Sequence, residues 1–271
     1  MAIYDCIIYF DEDLIIDMRL NILNNYVDYF VIIEGSKTWQ NNPKKFKFDI
    51  NKYQKFANKI IYIKVEDLPD GKDPYLRENY QRNCISRGLL KSKPNDLIMI
   101  SDLDEIPNPE VIKKFNPQMR YAAFKQKNFN YKLNLLSSKN PYWIGTRICL
   151  NKYLNSPQWL RELKFKKRPF WRIDKWRLSN IIENGGWHFC NLKSPEELLY
   201  KYQNLCETDD PVNFKEKIDI KYLNLSEIDY RVKKGLDIIG RDDSFTKVDV
   251  DNTYPKYLLQ NMNNYFKWIE S

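Results

Sequence analysis

Histidine occurs once in these 271 residues, at position 188, which excludes any centre built on two imidazoles. Cysteine is also sparse. Cys6, Cys84, Cys149, Cys190 and Cys206 are odd in number, scattered and never in a C-x-x-C pair, so reduced thiols are expected rather than a disulfide framework or a zinc knuckle. With 8 Gly and 13 Pro, collagen-like and low-complexity architectures are excluded. No apolar run approaches the roughly 18 residues needed to cross a bilayer, and the longest, such as residues 29–33, have strand length. The first ten residues have neither a basic n-region nor a small-residue cleavage site. They read as a first strand, and the expected location is the cytoplasm.

Aromatic residues and charge are plentiful. The chain is 43% hydrophobic and 15% aromatic, enough for a sizeable core, which excludes a disordered chain. Lys and Arg outnumber Asp and Glu by 44 to 36, a net charge of +8. Such an excess points to an anionic partner: nucleic acid, a lipid headgroup or a phosphorylated small molecule.

Short β-rich runs alternate with helical patterns over the first hundred residues, the rhythm of an α/β sheet. Strands are expected at residues 3–10, 29–34, 59–65 and 96–101, with a helix at 11–26. Asp73 and Pro74 open another helix, for which Leu76, Tyr80, Cys84, Ile85 and Leu89 form the expected apolar stripe. Longer strands follow at 121–136 and 142–150, and Ser194-Pro-Glu-Glu is a capping box opening a further helix. The division expected is a catalytic domain at 1–195 and a helical extension packed on it at 196–271.

The strand at 96–101 runs into Asp102-Leu-Asp-Glu-Ile-Pro. Ligands bind at the carboxyl ends of strands in open α/β sheets, so Asp102 and Asp104 can share a hard cation there, which would grip a nucleotide diphosphate. The same carboxylates could instead cap the helix that starts near Pro109. His188, in Gly-Gly-Trp-His-Phe, reads either as a third metal ligand or as a packed histidine. Glu34, at the end of the second strand, could meet a ribose or base, or be a solvated strand end. Gln81 and Arg82 could face the nucleotide, although Glu78 and Arg82, four apart, could simply pair.

These pieces together resemble glycosyltransferase family 17, the β-1,4-mannosyl-glycoprotein 4-β-N-acetylglucosaminyltransferase family. The resemblance is carried, in order, by Tyr4-Asp-Cys-Ile-Ile-Tyr-Phe, Arg19-Leu-Asn, Val27-Asp-Tyr-Phe-Val-Ile-Ile-Glu-Gly-Ser-Lys-Thr, Glu78-Asn-Tyr-Gln-Arg-Asn, Ile100-Ser-Asp-Leu-Asp-Glu-Ile-Pro and Gly186-Trp-His-Phe. It spans residues 4–192 and fades after about Tyr200. It implies a GT-A fold (a Rossmann-like mixed sheet flanked by helices), a UDP-sugar donor, most readily UDP-N-acetylglucosamine, bound Mn²⁺ or Mg²⁺, and inversion at the anomeric carbon. By position, Asp102 would meet the donor's ribose or sugar and share the metal with Asp104 and His188. Animal members carry a membrane anchor. A chain starting directly at the first strand suits a bacterial or viral enzyme acting on a glycan precursor.

An inverting transfer needs a base for the acceptor hydroxyl. Glu162 is the first candidate and Glu183, five residues before His188, the second, ahead of Glu105 and Asp174. Asp104 is counted with the catalytic carboxylates. Tyr131, Trp143 and Arg147 are the candidate acceptor contacts, although aromatic stripes of this kind are more often core. The segment from Arg161 to Arg177 holds eight basic and two acidic residues, three-quarters of the net charge. It reads either as a solvated basic face or as a border of the active site that receives the donor diphosphate or a phosphorylated or lipid-linked acceptor, through Lys166, Lys167 and Arg168 among others; peripheral membrane contact of the protein stays open. Three other readings stand beside this one: a nucleic-acid-binding protein, for which no known motif speaks, a metal-dependent phosphoryl-transfer enzyme built on Asp102 and Asp104, and a family member that binds glycan without catalysis.

Overall fold

A computed structural model of the chain describes residues 1–165, 180–205, 218–220 and 223–271. The basic residues Lys166, Lys167 and Arg168, together with Asp174 and Cys206, lie outside the described residues.

Strands β1 (Ile3–Tyr9), β2 (Tyr29–Gly35), β3 (Ile60–Val65) and β4 (Leu97–Asp102) pair in parallel in the order β4-β1-β2-β3. Their near-continuous apolar runs follow from burial on both faces. Ile7, Phe30, Ile32, Leu97 and Met99 face helix α1 (Asp13–Leu23), while Cys6, Val31, Ile33, Ile98 and Ile100 face Cys84, Ile85 and Leu89. Each fully buried Ile or Leu contributes roughly 1.5–3 kcal/mol by leaving water.

Helix α2 (Pro74–Asn83) starts as its sequence predicts, with the Asp73 carboxylate accepting from the Tyr75 amide. Its inner face differs from the expected apolar stripe: Leu76 is exposed, and Arg77, Gln81 and Arg82 are buried. A polar inner face is tolerated because each of these side chains has hydrogen-bond partners inside the fold.

Beyond β4 the sheet turns antiparallel. β8 (Tyr142–Leu150) pairs with β4, and β6 (Tyr121–Asn130) pairs with β8. β9 (Ile181–Cys190) runs parallel to β6 and carries the short β5 (Glu105–Pro107) on its other side. The long strand expected at 121–136 is broken at Tyr131, whose φ of 63° takes the chain out of β geometry before β7 (Leu135–Ser137).

The residues after 195 include more than helices. α6 (Pro195–Asn204), opened by the expected capping box at Ser194, and α7 (Leu225–Lys233) pack with Tyr131 and Leu135. β10 (Phe245–Lys247) then joins the sheet beside β7. Near the C-terminus Trp268 accepts from the Leu133 amide at 2.7 Å, and the Glu270 amide donates to Asn134 at 2.7 Å. Among the described residues no helix is long and apolar enough to cross a membrane.

Candidate active site

The order β3-β2-β1-β4 puts a topological switch point between β1 and β4, where the chain leaves the sheet in opposite directions. Asp102 ends β4 at this point, and Arg19 of α1 fixes the turn that follows. Arg19 is fully buried and forms a two-pronged ion pair with Asp5, at 2.7 and 2.8 Å. Its Nη1 donates to the carbonyls of Asp102, Leu103 and Glu105, and its Nη2 to the Ser101 hydroxyl. Neither aspartate caps the next helix. Asn108 does so, accepting from the Glu110 amide.

Asp104 and His188 come together because β5 and β9 pair in the register Glu105↔His188 and the Phe189 amide donates to the Asp104 carbonyl at 2.9 Å. Asp104 Oδ1 lies 3.5 Å from His188 Nε2. The other ring nitrogen, Nδ1, is 3.0 Å from Asn128 Oδ1. Asn128 spends its amide NH₂ on the Asn140 carbonyl at 3.0 Å, which turns its oxygen toward His188 and assigns the proton to Nδ1. In the neutral ring, Nε2 is therefore the lone-pair nitrogen. Burial alone would disfavour a charged His188, but Asp104 beside it raises its pKa well above the ordinary value. Burial likewise acts against Asp104, and His188 outweighs it and lowers the carboxyl.

Asp102 is held differently. Its Oδ2 accepts from Arg161 at 2.6 Å and its Oδ1 from Arg82 at 3.1 Å. Burial opposes its ionisation, yet the two guanidinium groups hold the carboxyl well below the usual range. Arg161, in α5 (Pro157–Glu162), also reaches Glu105 at 2.5 Å and the Gly145 carbonyl at 3.1 Å. Glu105 is buried and accepts from Trp143 Nε1 at 2.6 Å. Trp143 is 42% exposed and stacks on His188, with ring centroids 5.4 Å apart.

The family model for glycosyltransferase family 17 matches residues 1–269. The chain belongs to glycosyltransferase family 17. The family pattern therefore runs well past Tyr200, where the motif resemblance fades, and takes in β10 and the C-terminal segment. The chain is 23% identical over 290 aligned positions to the β-1,4-mannosyl-glycoprotein 4-β-N-acetylglucosaminyltransferases of Rattus norvegicus and Homo sapiens, covering 95% of this chain and 52% and 53% of theirs. It thus spans about half the length of the curated relatives it matches. Among solved structures, a putative glucose-1-phosphate thymidylyltransferase from Bacillus anthracis aligns at 13% identity and a TM-score of 0.34, covering 67% of this chain and 87% of that one.

Several residues singled out from the sequence of this family 17 chain are employed elsewhere. Glu34 is buried and consumed by Lys44, the amides of Lys47 and Phe48 at 2.7 and 3.0 Å, and the Tyr62 hydroxyl at 2.7 Å. It anchors the loop after β2, leaving no free acceptor for a ribose. Gln81 holds the same loop by accepting from Trp39 at 2.9 Å. Glu183 is exposed and pairs with Lys125 at 3.0 Å, in the bulged stretch of β9 before Gly186, where it is engaged away from His188. Tyr131 is buried against Phe245, its hydroxyl donating to the Leu236 carbonyl, so it is a packing residue and not an acceptor contact.

Arg147 lies beside the site but is nearly buried, with its guanidinium over Phe165 at 5.2 Å. Burial and the neighbouring Arg161 pull its pKa down to about 10. Glu162 is exposed at the end of α5 and accepts from Gln158 at 2.9 Å; Gln158 in turn accepts from Arg82 at 2.5 Å. Sequence reasoning missed Arg161 as a partner of Asp102 and Glu105, and Asn128 and Cys190 as neighbours of His188. Only for Cys190 did spacing carry a signal, since it lies two residues from His188 on one strand and so shares its face.

Proposed function

We propose that this chain is an inverting, metal-dependent N-acetylglucosaminyltransferase of GT-A type, moving the sugar of UDP-N-acetylglucosamine to a glycan hydroxyl. The observation that carries the reading is the pairing of Asp104 with His188 beside two arginines on Asp102, at the switch point of a parallel sheet in a family 17 chain. The donor set fits a divalent cation: an ionised carboxylate stands 3.5 Å from an imidazole nitrogen whose lone pair Asn128 directs outward. Asp104 and His188 would hold that cation, which when bound supplies a Lewis acid for the departing diphosphate.

The chain's own residues would do the rest. Arg82 and Arg161 place two permanent positive charges at the end of β4, suited to the growing negative charge of a phosphate leaving group. The half-exposed indole of Trp143 offers a flat apolar face for a sugar ring. Glu162, free to solvent on one side and tied to Arg82 through Gln158, is the proposed base for the acceptor hydroxyl.

Thermal stabilisation tests this reading. With Mn²⁺ present, UDP-N-acetylglucosamine should raise the melting temperature more than GDP-, CMP- or dTDP-sugars, and chelation should abolish the effect. Stabilisation by oligonucleotides with no response to any nucleotide sugar would overturn it in favour of a nucleic-acid-binding protein.

A further inference from the structure

We propose that Cys190 is a third protein ligand of this cation, giving a carboxylate–imidazole–thiolate donor set that selects Zn²⁺ or Co²⁺ over Mg²⁺. The inference deepens the proposed metal dependence and takes from it the place of the site. Its donor set comes from geometry. His188 and Cys190 are two apart on β9, so both side chains project from the same face of the strand. The bond from the Phe189 amide to the Asp104 carbonyl, at 2.9 Å, lays Asp104 alongside that face. One ligating atom from each of Asp104, His188 and Cys190 lies within 4.8 Å of the other two.

Ligands about 2.0–2.3 Å from a tetrahedral ion stand about 3.5 Å apart. Asp104 Oδ1 and His188 Nε2 already have that separation, at 3.5 Å, and the sulfur lies within 4.8 Å of a ligating atom of each residue. Asn128 frees Nε2, the nitrogen that faces Asp104. Cys6, Cys84 and Cys149 are buried, so Cys190, half-buried, is the one thiol among the described residues that reaches this edge of the sheet. Asp102 is not one of the three converging groups, and its oxygens face Arg82 and Arg161 instead.

Chemistry then sets the preference. Mg²⁺ demands near-ideal octahedral oxygen coordination, whereas a thiolate beside an imidazole suits borderline ions. On binding, the Cys190 proton leaves to solvent and the Sγ–metal bond forms, with no change of oxidation state.

The test is a Co²⁺ titration of the full chain followed by absorption, with UDP release from UDP-N-acetylglucosamine followed in parallel. The expected result is a near-ultraviolet thiolate-to-cobalt charge-transfer band in the wild type, lost in Cys190→Ser. In the wild type, Zn²⁺ should also protect Cys190 from alkylation, mapped by peptide mass spectrometry, a readout that does not depend on the variant folding. A band without UDP release supports the thiolate ligand and counts against the transferase reading. UDP release with Co²⁺ but no band overturns the thiolate ligand and leaves the transferase reading standing. Absence of any Co²⁺ binding, or equal alkylation with and without Zn²⁺, also overturns the ligand.

Discussion

Arg161 holds Glu105 in place: one nitrogen, Nη2, lies 2.5 Å from Glu105 Oε1 and also 2.6 Å from Asp102 Oδ2. Glu105 is 1% exposed, and its carboxylate is bonded to that guanidinium and to the Trp143 indole. Removing one member of a buried pair strands the other, at about 3–5 kcal/mol for full burial and somewhat less here because Arg161 retains slight exposure. Arg161→Met should therefore lose about 3 kcal/mol in urea unfolding. Arg161→Gln/Glu105→Gln should recover part of that loss without restoring affinity for UDP.

Arg19 allows a sharper separation of stability from function. Arg19→Met leaves Asp5 uncompensated and should cost about 3–5 kcal/mol. Adding Asp5→Leu should return much of this, because hydrophobic replacement of a buried ion pair is often near neutral. The carbonyls of Asp102, Leu103 and Glu105 would still have lost their common donor. The double variant is expected to fold yet bind metal more weakly than the wild type, by calorimetry.

Asn128 meets the site at His188. Asn128→Leu removes the acceptor for Nδ1–H, and such outer partners are worth about 10–100-fold in metal affinity. Calorimetric titration with Mn²⁺ or Zn²⁺ should show a loss of that size while far-ultraviolet circular dichroism stays unchanged. Asn128→Asp keeps an acceptor and should lose less.

The pH dependence follows from the Asp104–His188 pair. Without metal, His188 has a raised pKa, so its contribution to stability is complete below its unfolded value and lost as pH rises through the folded one. The lowered carboxyl of Asp104 contributes above its unfolded value and loses that contribution as pH falls through the folded one. The pair thus stabilises the metal-free protein between those two limits. Metal binding has the opposite sensitivity, because the cation needs neutral imidazole and must displace the His188 proton. Metal affinity should rise with pH up to the raised pKa of His188, and a flat profile would count against His188 as a ligand.

Much of this arrangement was legible in the sequence, and the parts that were not share a cause. Strands β1 to β4 could be read because burial on both faces leaves continuous apolar runs, and Asp73-Pro74 and Ser194 declare their helices through local hydrogen bonds. Asp102 and Asp104 stood out because they follow an apolar strand, and His188 because it is the one histidine, set between aromatics. Glu34 and Glu105 show the limit. Both are buried strand-end carboxylates, and only tertiary packing decides that one fastens a loop while the other underlies the site. The polar inner face of α2 misled for the same reason: Arg77, Gln81 and Arg82 each bond to a partner far away in sequence.

The most direct test of the transferase reading is UDP release from UDP-N-acetylglucosamine by the full chain with Mn²⁺, compared with Asp104→Asn and with a chelated sample. The account predicts steady release that is selective for this donor over other nucleotide sugars and lost in both controls. Release that survives chelation or Asp104→Asn, or equal turnover of a GDP- or CMP-sugar, would contradict it.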